Sequence, residues 1–396
     1  MLTNHLTFGL ASIAAILAPF ASAELSGTVG PLTTATEKAA VKTCNVLDYG
    51  AVADNSTDVG QPIIDAFADC GSGGLIYVPE GNYSLQTWVS LSDGNAWALQ
   101  IDGVLWRGAS PAGQSYMLEI SGGSDFELFS SNSAGAIQAS GYLYHINDTY
   151  IGPRVLHIDG VSDWSVHDFV LVDSPMFHFV IEGDSSNGEV YNMAIRGGDS
   201  GGLDGIDVSA INVWIHDVMV TNKDECVITK IGSKNILIES IYCNISGGCA
   251  MGSLGSGANV FMFKSNGGSG EVKNVVLENF IGPDNAYSLD LDSFWSSMSA
   301  VDGDGNADIA AQVGGYIQYV CENAYGSGYC VSNSTDTTAT YTTTLYASPS
   351  PSGYSAPTMA ADLTAGFDVT LSIPIPTIPT SFYPGATPYS ALAGSS

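Results

Sequence analysis

Short apolar segments, each only a few residues long and separated by Asn, Asp or Gly, recur through the middle of the chain at a nearly constant interval. Five of them align: SVHDF at Ser165–Phe169, EVYNM at Glu189–Met193, WIHDV at Trp214–Val218, LIESI at Leu237–Ile241 and VLENF at Val276–Phe280. The apolar residue in second place falls at Val166, Val190, Ile215, Ile238 and Leu277, so the first three intervals are 24, 25 and 23 residues. A repeat of that length built from β-rich, helix-poor pieces predicts a solenoid whose coils are strands, a parallel β-helix, rather than a stack of helix pairs. The fourth interval is 39, too long for one coil and too short for two, so something abnormal is expected between Leu254 and Phe261.

Upstream of the repeats the period changes. In VLDYGAVADNSTDVGQPIIDAFADCGSGGLIYVPEGNYSL, the residues Val59, Ile63, Ala66 and Phe67 share one helical face, and the stretch around Leu75 and Tyr77 reads as strand. A short N-terminal helix is therefore expected to cap the open end of the stack. Near Val331 the composition turns Ser/Thr/Pro-rich and almost uncharged, then becomes the proline-punctuated IPIPTIPTSFYPG. The expected β-helix body is 24–331. Residues 332–396 read as an O-glycosylated or irregular connector and an extended tail packed on that body, since proline bars the tail from a central strand. At the other end, residues 1–23 hold an apolar run from Phe8 to Phe20 closed by Ala21-Ser22-Ala23, which reads as a signal peptide cut before Glu24. That run is too short to span a membrane, and a secreted, extracellular protein is the expectation.

Ten basic residues against 40 acidic ones give a formal charge of -30, which excludes a nucleic-acid backbone as partner. With 45% hydrophobic residues the chain is a folded acidic protein and not a disordered one. Such a balance suits an acidic extracellular medium. Seven cysteines in an exported chain imply disulfides and one spare thiol. Local spacing suggests Cys44–Cys70, Cys226–Cys243 and Cys321–Cys330, leaving Cys249 as a buried, inert thiol. Sequons stand at Asn55, Asn82, Asn147, Asn244 and Asn333.

The candidate chemistry lies in two strings. GGLDGIDVS and TNKDECVIT place Asp204, Asp207, Asp224 and Glu225 within 22 residues. Asp204 and Asp224 are 20 apart, slightly under one coil, which sets them on neighbouring rungs of one face. Hydrolysis of a glycosidic bond needs one acid to protonate the leaving oxygen and a second carboxylate to activate water, about 6.5–9.5 Å apart when configuration inverts. Crowding among anions raises their proton affinity, so one of them can keep a proton at neutral pH. For Asp207 a role at a coil corner is as good a reading as a functional one. Lys264, in FMFKSNGGSG, is the candidate for holding a uronate carboxylate, and Tyr287 and Trp295 for stacking on sugars; a solvated lysine and core aromatics are the bland alternatives. His178 is expected near the groove entrance. His167 and His216 occupy equivalent repeat positions and read as stacked wall residues, not metal ligands, and no metal or cofactor is expected.

Several strings carry a resemblance: GGLDGIDV, VTNKDECV, ESIYCN-SGGCAMGSLG, FKSNGGSG, ENFIG-NAYSLD and the terminal IPTIPTSFYPGATPYSALAG. Together they closely resemble the fungal rhamnogalacturonan hydrolases, a branch of glycoside hydrolase family 28, from Glu24 to the end. The resemblance implies an all-β fold, a single-stranded right-handed parallel β-helix of the pectin lyase-like kind. It implies inverting endo-hydrolysis of galacturonate-rhamnose linkages by a monomer acting on pectic polysaccharide, with Asp224 as general acid and Asp204 and Glu225 holding water. Where polygalacturonases carry Asn-Thr-Asp, Asp-Asp, Gly-His-Gly and Arg-Ile-Lys, this chain has Gly202-Leu203-Asp204, Asp224-Glu225, a histidine-free GGCAMGSLG and Met262-Phe263-Lys264.

Three departures mark the C-terminal part: coil segments missing near 255–261 and again near 301–319, and Pro283 where the family has an active-site histidine. A stack that loses part of a rung shifts everything after it, so a protein that binds pectin without turnover is the alternative of a different class. A polygalacturonase and a calcium-dependent pectate lyase are alternatives within the same fold, and the scarcity of Lys and Arg argues against the lyase.

Overall fold

The computed structural model describes residues 25–108, 116–147, 152–252 and 366–380, together with short strands between Phe261 and Leu345. Residues 1–24, Pro283, Tyr287, Cys330 and Asn333 lie outside the described residues.

The chain winds as a right-handed parallel β-helix, and the repeat frame read from the sequence is the frame of its strand pairing. Val166 pairs with Val190, Val190 with Ile215, and Ile215 with Ile238, each on the next of four eleven-residue strands, Ser162–Val172, Ser186–Arg196, Ile211–Thr221 and Lys234–Asn244. These belong to one 11-stranded sheet, while a second 11-stranded sheet of shorter strands runs from Val89–Ser92 through Arg154–Asp159, Phe179–Glu182, Ile206–Val208, Val227–Thr229 and Cys249–Met251. Coils repeat in the same place because their inward residues, Trp164, Val166, Val190, Ile215 and Val227 among them, must all enter one continuous core.

The long strands bend where Asn and Asp recur. Asp163, Asn187, Asn212 and Asn235 have φ between 53° and 58°, and a second row at Asp168, Asn192, Asp217 and Ser240 is alike. Short polar side chains tolerate this left-handed backbone because they bond locally. Here they also bond between coils: Asn187 Nδ2 donates to Asp163 at 2.8 Å and Asn212 Nδ2 to Asn187 at 2.9 Å. His167 and His216 stand one row away in a ring ladder, with Tyr191 between them at 4.4 and 5.4 Å. Each imidazole is bracketed by acids, His167 by Asp168 and Glu127, His216 by Asp217 and Glu189, so both are wall residues.

The helix Gly60–Cys70 buries Ile63 and Ala66, with Val59 just before it, and half-buries Phe67 against the first strands. Its last residue closes the disulfide to Cys44. An additional short helix, Ala35–Val41, was not read from the sequence; Thr34 and Glu37 form its capping box. Lys38 from this helix is buried in an ion pair with Asp125 at 3.0 Å. No helix among the described residues is long and apolar enough to cross a membrane. Residues 366–380 lie without regular structure along the body, where Ile373 and Ile378 are buried with Val170, Val172, Ala194 and Met219.

The short-strand sheet also locates the irregular coil. Ile206 pairs with Val227 and Val227 with Cys249, steps of 21 and 22 residues, but Cys249 then pairs with Phe261, a step of only 12. Lys264 ends the strand Phe261–Lys264, and Cys321 lies in Tyr319–Glu322; the proposed Cys321–Cys330 bond lies outside the described residues.

Candidate active site

Three corner loops, each leaving a long strand for the next short one, stack over one another around residues 203–205, 223–226 and 246–249. Their main chains are tied together directly: Gly205 N–H donates to Glu225 O at 2.8 Å, Cys226 N–H to Gly248 O at 2.7 Å, and Gly247 N–H to Asp224 O at 2.8 Å. Asn222, itself buried, donates from Nδ2 to Leu203 O and Glu225 O and so spans two corners. The Cys226–Cys243 disulfide fastens the second corner to the strand Lys234–Asn244, and Cys249 stays a free buried thiol, its pKa pushed up to about 12 by burial. Gly205 lets the corners come this close: a Cβ there would stand 2.4 Å from Cys226 O.

The sequence-predicted acids meet on this scaffold. Carboxyl oxygens of Asp204, Asp224 and Glu225 lie within 4.8 Å of one another, all three buried. That is nearer than the separation of about 6.5–9.5 Å expected for an inverting pair. Asp224 is held by main-chain donors on both oxygens, Gly202 N–H on Oδ2 and Glu225 N–H on Oδ1. Asp204 has no such support. Neither of its oxygens meets a hydrogen-bond donor among the described residues, and Lys230 is 3.8 Å away. Burial first, and then the charges of Asp207 and Asp224, push its proton affinity far above the usual carboxylate range. Asp207 is raised by burial as well, but Lys230 at 3.4 Å opposes the shift. Of these two acids, Asp204 is the one that holds a proton more readily. The same three oxygens are close enough to ligate a small cation, with Asp204 the group that would have to lose its proton first.

His178 is not at an entrance. It is wholly buried beneath the cluster, with Nδ1 3.1 Å from Asp204 O and Nε2 3.1 Å from Arg196 O, and burial pushes its pKa down to about 4. Its neutral ring braces the Asp204 corner from below, and sugar contact by His178 is withdrawn. Lys264 follows the 12-residue step along the same sheet, and Tyr287 is outside the described residues. Sequence reading missed Arg154 and Phe177: the Arg154 and Lys230 cations both lie within 5.7 Å of the Phe177 ring centre. The 23-residue interval from Arg154 to Phe177, one coil long, was the available signal.

Comparison with known proteins agrees with this geometry. The family model for glycosyl hydrolases family 28 matches residues 129–278, the segment that holds all four acids. A probable rhamnogalacturonase E of Aspergillus niger is 62% identical, covering 94% of this chain and 95% of its own length. A rhamnogalacturonase B of Aspergillus niger is 56% identical over 96% of this chain and 78% of its own. The first alignment runs over 430 positions, more than the 396 residues present here, so that relative has segments this chain lacks. Among solved structures, an endo-xylogalacturonan hydrolase from Aspergillus tubingensis shares the fold, with a TM-score of 0.58 at 24% identity over 67% of this chain and 82% of its own. With relatives this similar over nearly their whole length, and with the acids gathered on adjacent corners, the chain belongs to glycosyl hydrolase family 28, in the group of the fungal rhamnogalacturonases.

Proposed function

We propose that this protein hydrolyses galacturonate-rhamnose bonds within the rhamnogalacturonan backbone of pectin, acting internally and with inversion. The observation that carries the reading is the convergence of Asp204, Asp224 and Glu225 in a chain 62% identical to a probable rhamnogalacturonase. Asp224 is the general acid, and Asp204 and Glu225 hold the attacking water. The proton starts on Asp204 and passes to Asp224 through a bridging water, because the two carboxyls share no hydrogen bond. It then goes to the departing sugar oxygen while water adds to the anomeric carbon and returns a proton to the Asp204 carboxylate. One C–O bond breaks, one water is consumed, and the cluster recovers its starting state. Asp224, engaged by two N–H donors and carrying the proton when the bond breaks, cannot act as nucleophile, and Asp204 serves as the base for water, which leaves water to attack.

The same reading has the protein exported as a monomer after loss of residues 1–23, with glycans on the exposed Asn55, Asn82 and Asn147. Lys264 and Tyr287 are its further substrate contacts beyond the catalytic corners. The test is incubation with de-esterified rhamnogalacturonan and, separately, homogalacturonan, following chain length, product anomer and ultraviolet absorbance. Shortening of rhamnogalacturonan alone, with an inverted anomer, no absorbance of unsaturated ends, and a loss of about 10²–10⁴-fold in Asp224→Asn, is the expected result. A retained anomer would overturn the water-attack step, and binding without any cleavage would overturn the hydrolase.

A further inference from the structure

Arg154 is one of ten basic residues in a chain with 40 acidic ones, yet among the described residues it forms no ion pair and no hydrogen bond. Two rings hold it instead. Its guanidinium carbon lies 5.6 Å from the centre of Tyr116 and 5.1 Å from that of Phe177. Tyr116 is in register with Arg154 on the neighbouring strand and stacks at 3.7 Å on His157, which Glu119 and Glu182 fix from either side. Glu119 and Glu182 are thus turned toward the imidazole, and among the described residues no carboxylate lies within ion-pair distance of the guanidinium. Phe177 also carries the Lys230 ammonium at 5.7 Å, and Lys230 reaches Asp207 and Asp204. One ring therefore links a cation already paired with the acids to a cation that, among the described residues, meets only rings. Both sit along the short-strand sheet that bears the acids, Arg154 on the coil before Phe177 and Lys230 just past Val227–Thr229.

We propose that Arg154, with Tyr116 and Phe177 beside it, is the subsite for a galacturonate carboxylate of the bound polysaccharide, next to the catalytic corners. The identity of the polymer rests on the hydrolase reading; the anion site does not. A guanidinium offers a planar fork of N–H donors that matches a carboxylate, and stacking on rings costs it none of them. In a protein with a net charge of -30, a polyanion is repelled nearly everywhere, so a cation with no ion pair among the described residues is the place where one of its charges can rest. Ring faces next to it suit the less polar face of the neutral sugar that alternates with the uronate.

The deciding experiment uses a rhamnogalacturonan hexasaccharide and the same molecule with its carboxyl groups reduced to alcohols. Binding of each is measured by calorimetry at low salt to the Asp224→Asn protein with Arg154 intact, replaced by Gln, or replaced by Lys. Arg154→Gln should weaken binding of the acidic sugar about tenfold and leave the reduced sugar unchanged, with Arg154→Lys between; in the active protein KM should rise while kcat holds. Equal binding of the acidic sugar by all three proteins, equal weakening for both sugars, or no binding to the Arg154 protein would overturn the subsite. Absence of cleavage with the charge-dependent pattern intact would instead sink the hydrolase reading alone.

Discussion

Replacing Asp173 with Asn tests how burial is balanced beside the C-terminal tail. Asp173 is fully buried, and the main-chain N–H groups of Tyr142 and Ile373 and the charge of Arg107 only partly offset the cost of ionising it there. Its pKa is pushed up to about 7, against an ordinary value of 3.8. Between those two values the unfolded chain has released the proton and the folded one still holds it. Stability therefore falls as pH rises, by about 1.4 kcal/mol per pH unit, and about 4 kcal/mol has been lost by pH 7. Because the group is fully enclosed, solvent screening does not reduce that figure much. Asn has the shape of the protonated acid and no charge to gain, so this slope disappears in Asp173→Asn. Urea unfolding of both proteins at pH 4, 5.5 and 7 should show nearly equal stability at pH 4, a gain for the variant of about 2 kcal/mol at pH 5.5, and one of about 4 kcal/mol at pH 7. Other titrating groups are common to both proteins and cancel in the difference. A gain that is independent of pH, or a variant less stable than its parent at pH 7, would mean that Asp173 is ionised and paired in the folded chain.

Two further outcomes follow from the corner stack. Gly205→Ala puts a Cβ 2.4 Å from Cys226 O and 2.9 Å from Val220 Cγ1, and neither main chain nor packed core yields easily; a loss of about 1–3 kcal/mol in unfolding and a fall in kcat with displacement of Asp204 are expected, and an unchanged kcat would show that the corner tolerates movement. Replacing both Cys226 and Cys243 with Ser opens a link of sequence separation 17 and should cost about 3 kcal/mol, read as a lower midpoint in urea; no change would mean the hydrogen bonds between corners suffice.

How much of this was readable in the sequence follows from how a β-helix uses its chain. Position within the coil maps directly to position on the wall, so Val166, Val190, Ile215 and Ile238 could be aligned from intervals alone, and the pairing reproduces them. The same arithmetic brought Asp204 and Asp224 onto adjacent rungs and exposed the short step before Phe261. It fails at corners, where two-residue alternation stops. In the run Phe177-His178-Phe179, alternation would set His178 opposite both phenylalanines, yet His178 and Phe179 are both buried and Phe177 is half-buried. The corner turns the imidazole inward to brace the Asp204 main chain and turns Phe177 out between two cations. Register is set by the shared core and repeats; corner geometry is set by loops of unequal length, which make one coil 27 residues from Phe179 to Ile206 and the next 21 from Ile206 to Val227, and no repeat encodes it. Since Asp204, Asp224, Glu225 and the Phe177 ring all sit on those corners, coil arithmetic can find acids near one rung apart and the one-coil interval from Arg154 to Phe177, but not the approach of Lys230 to the same ring, which forms only when corners of different coils turn toward it.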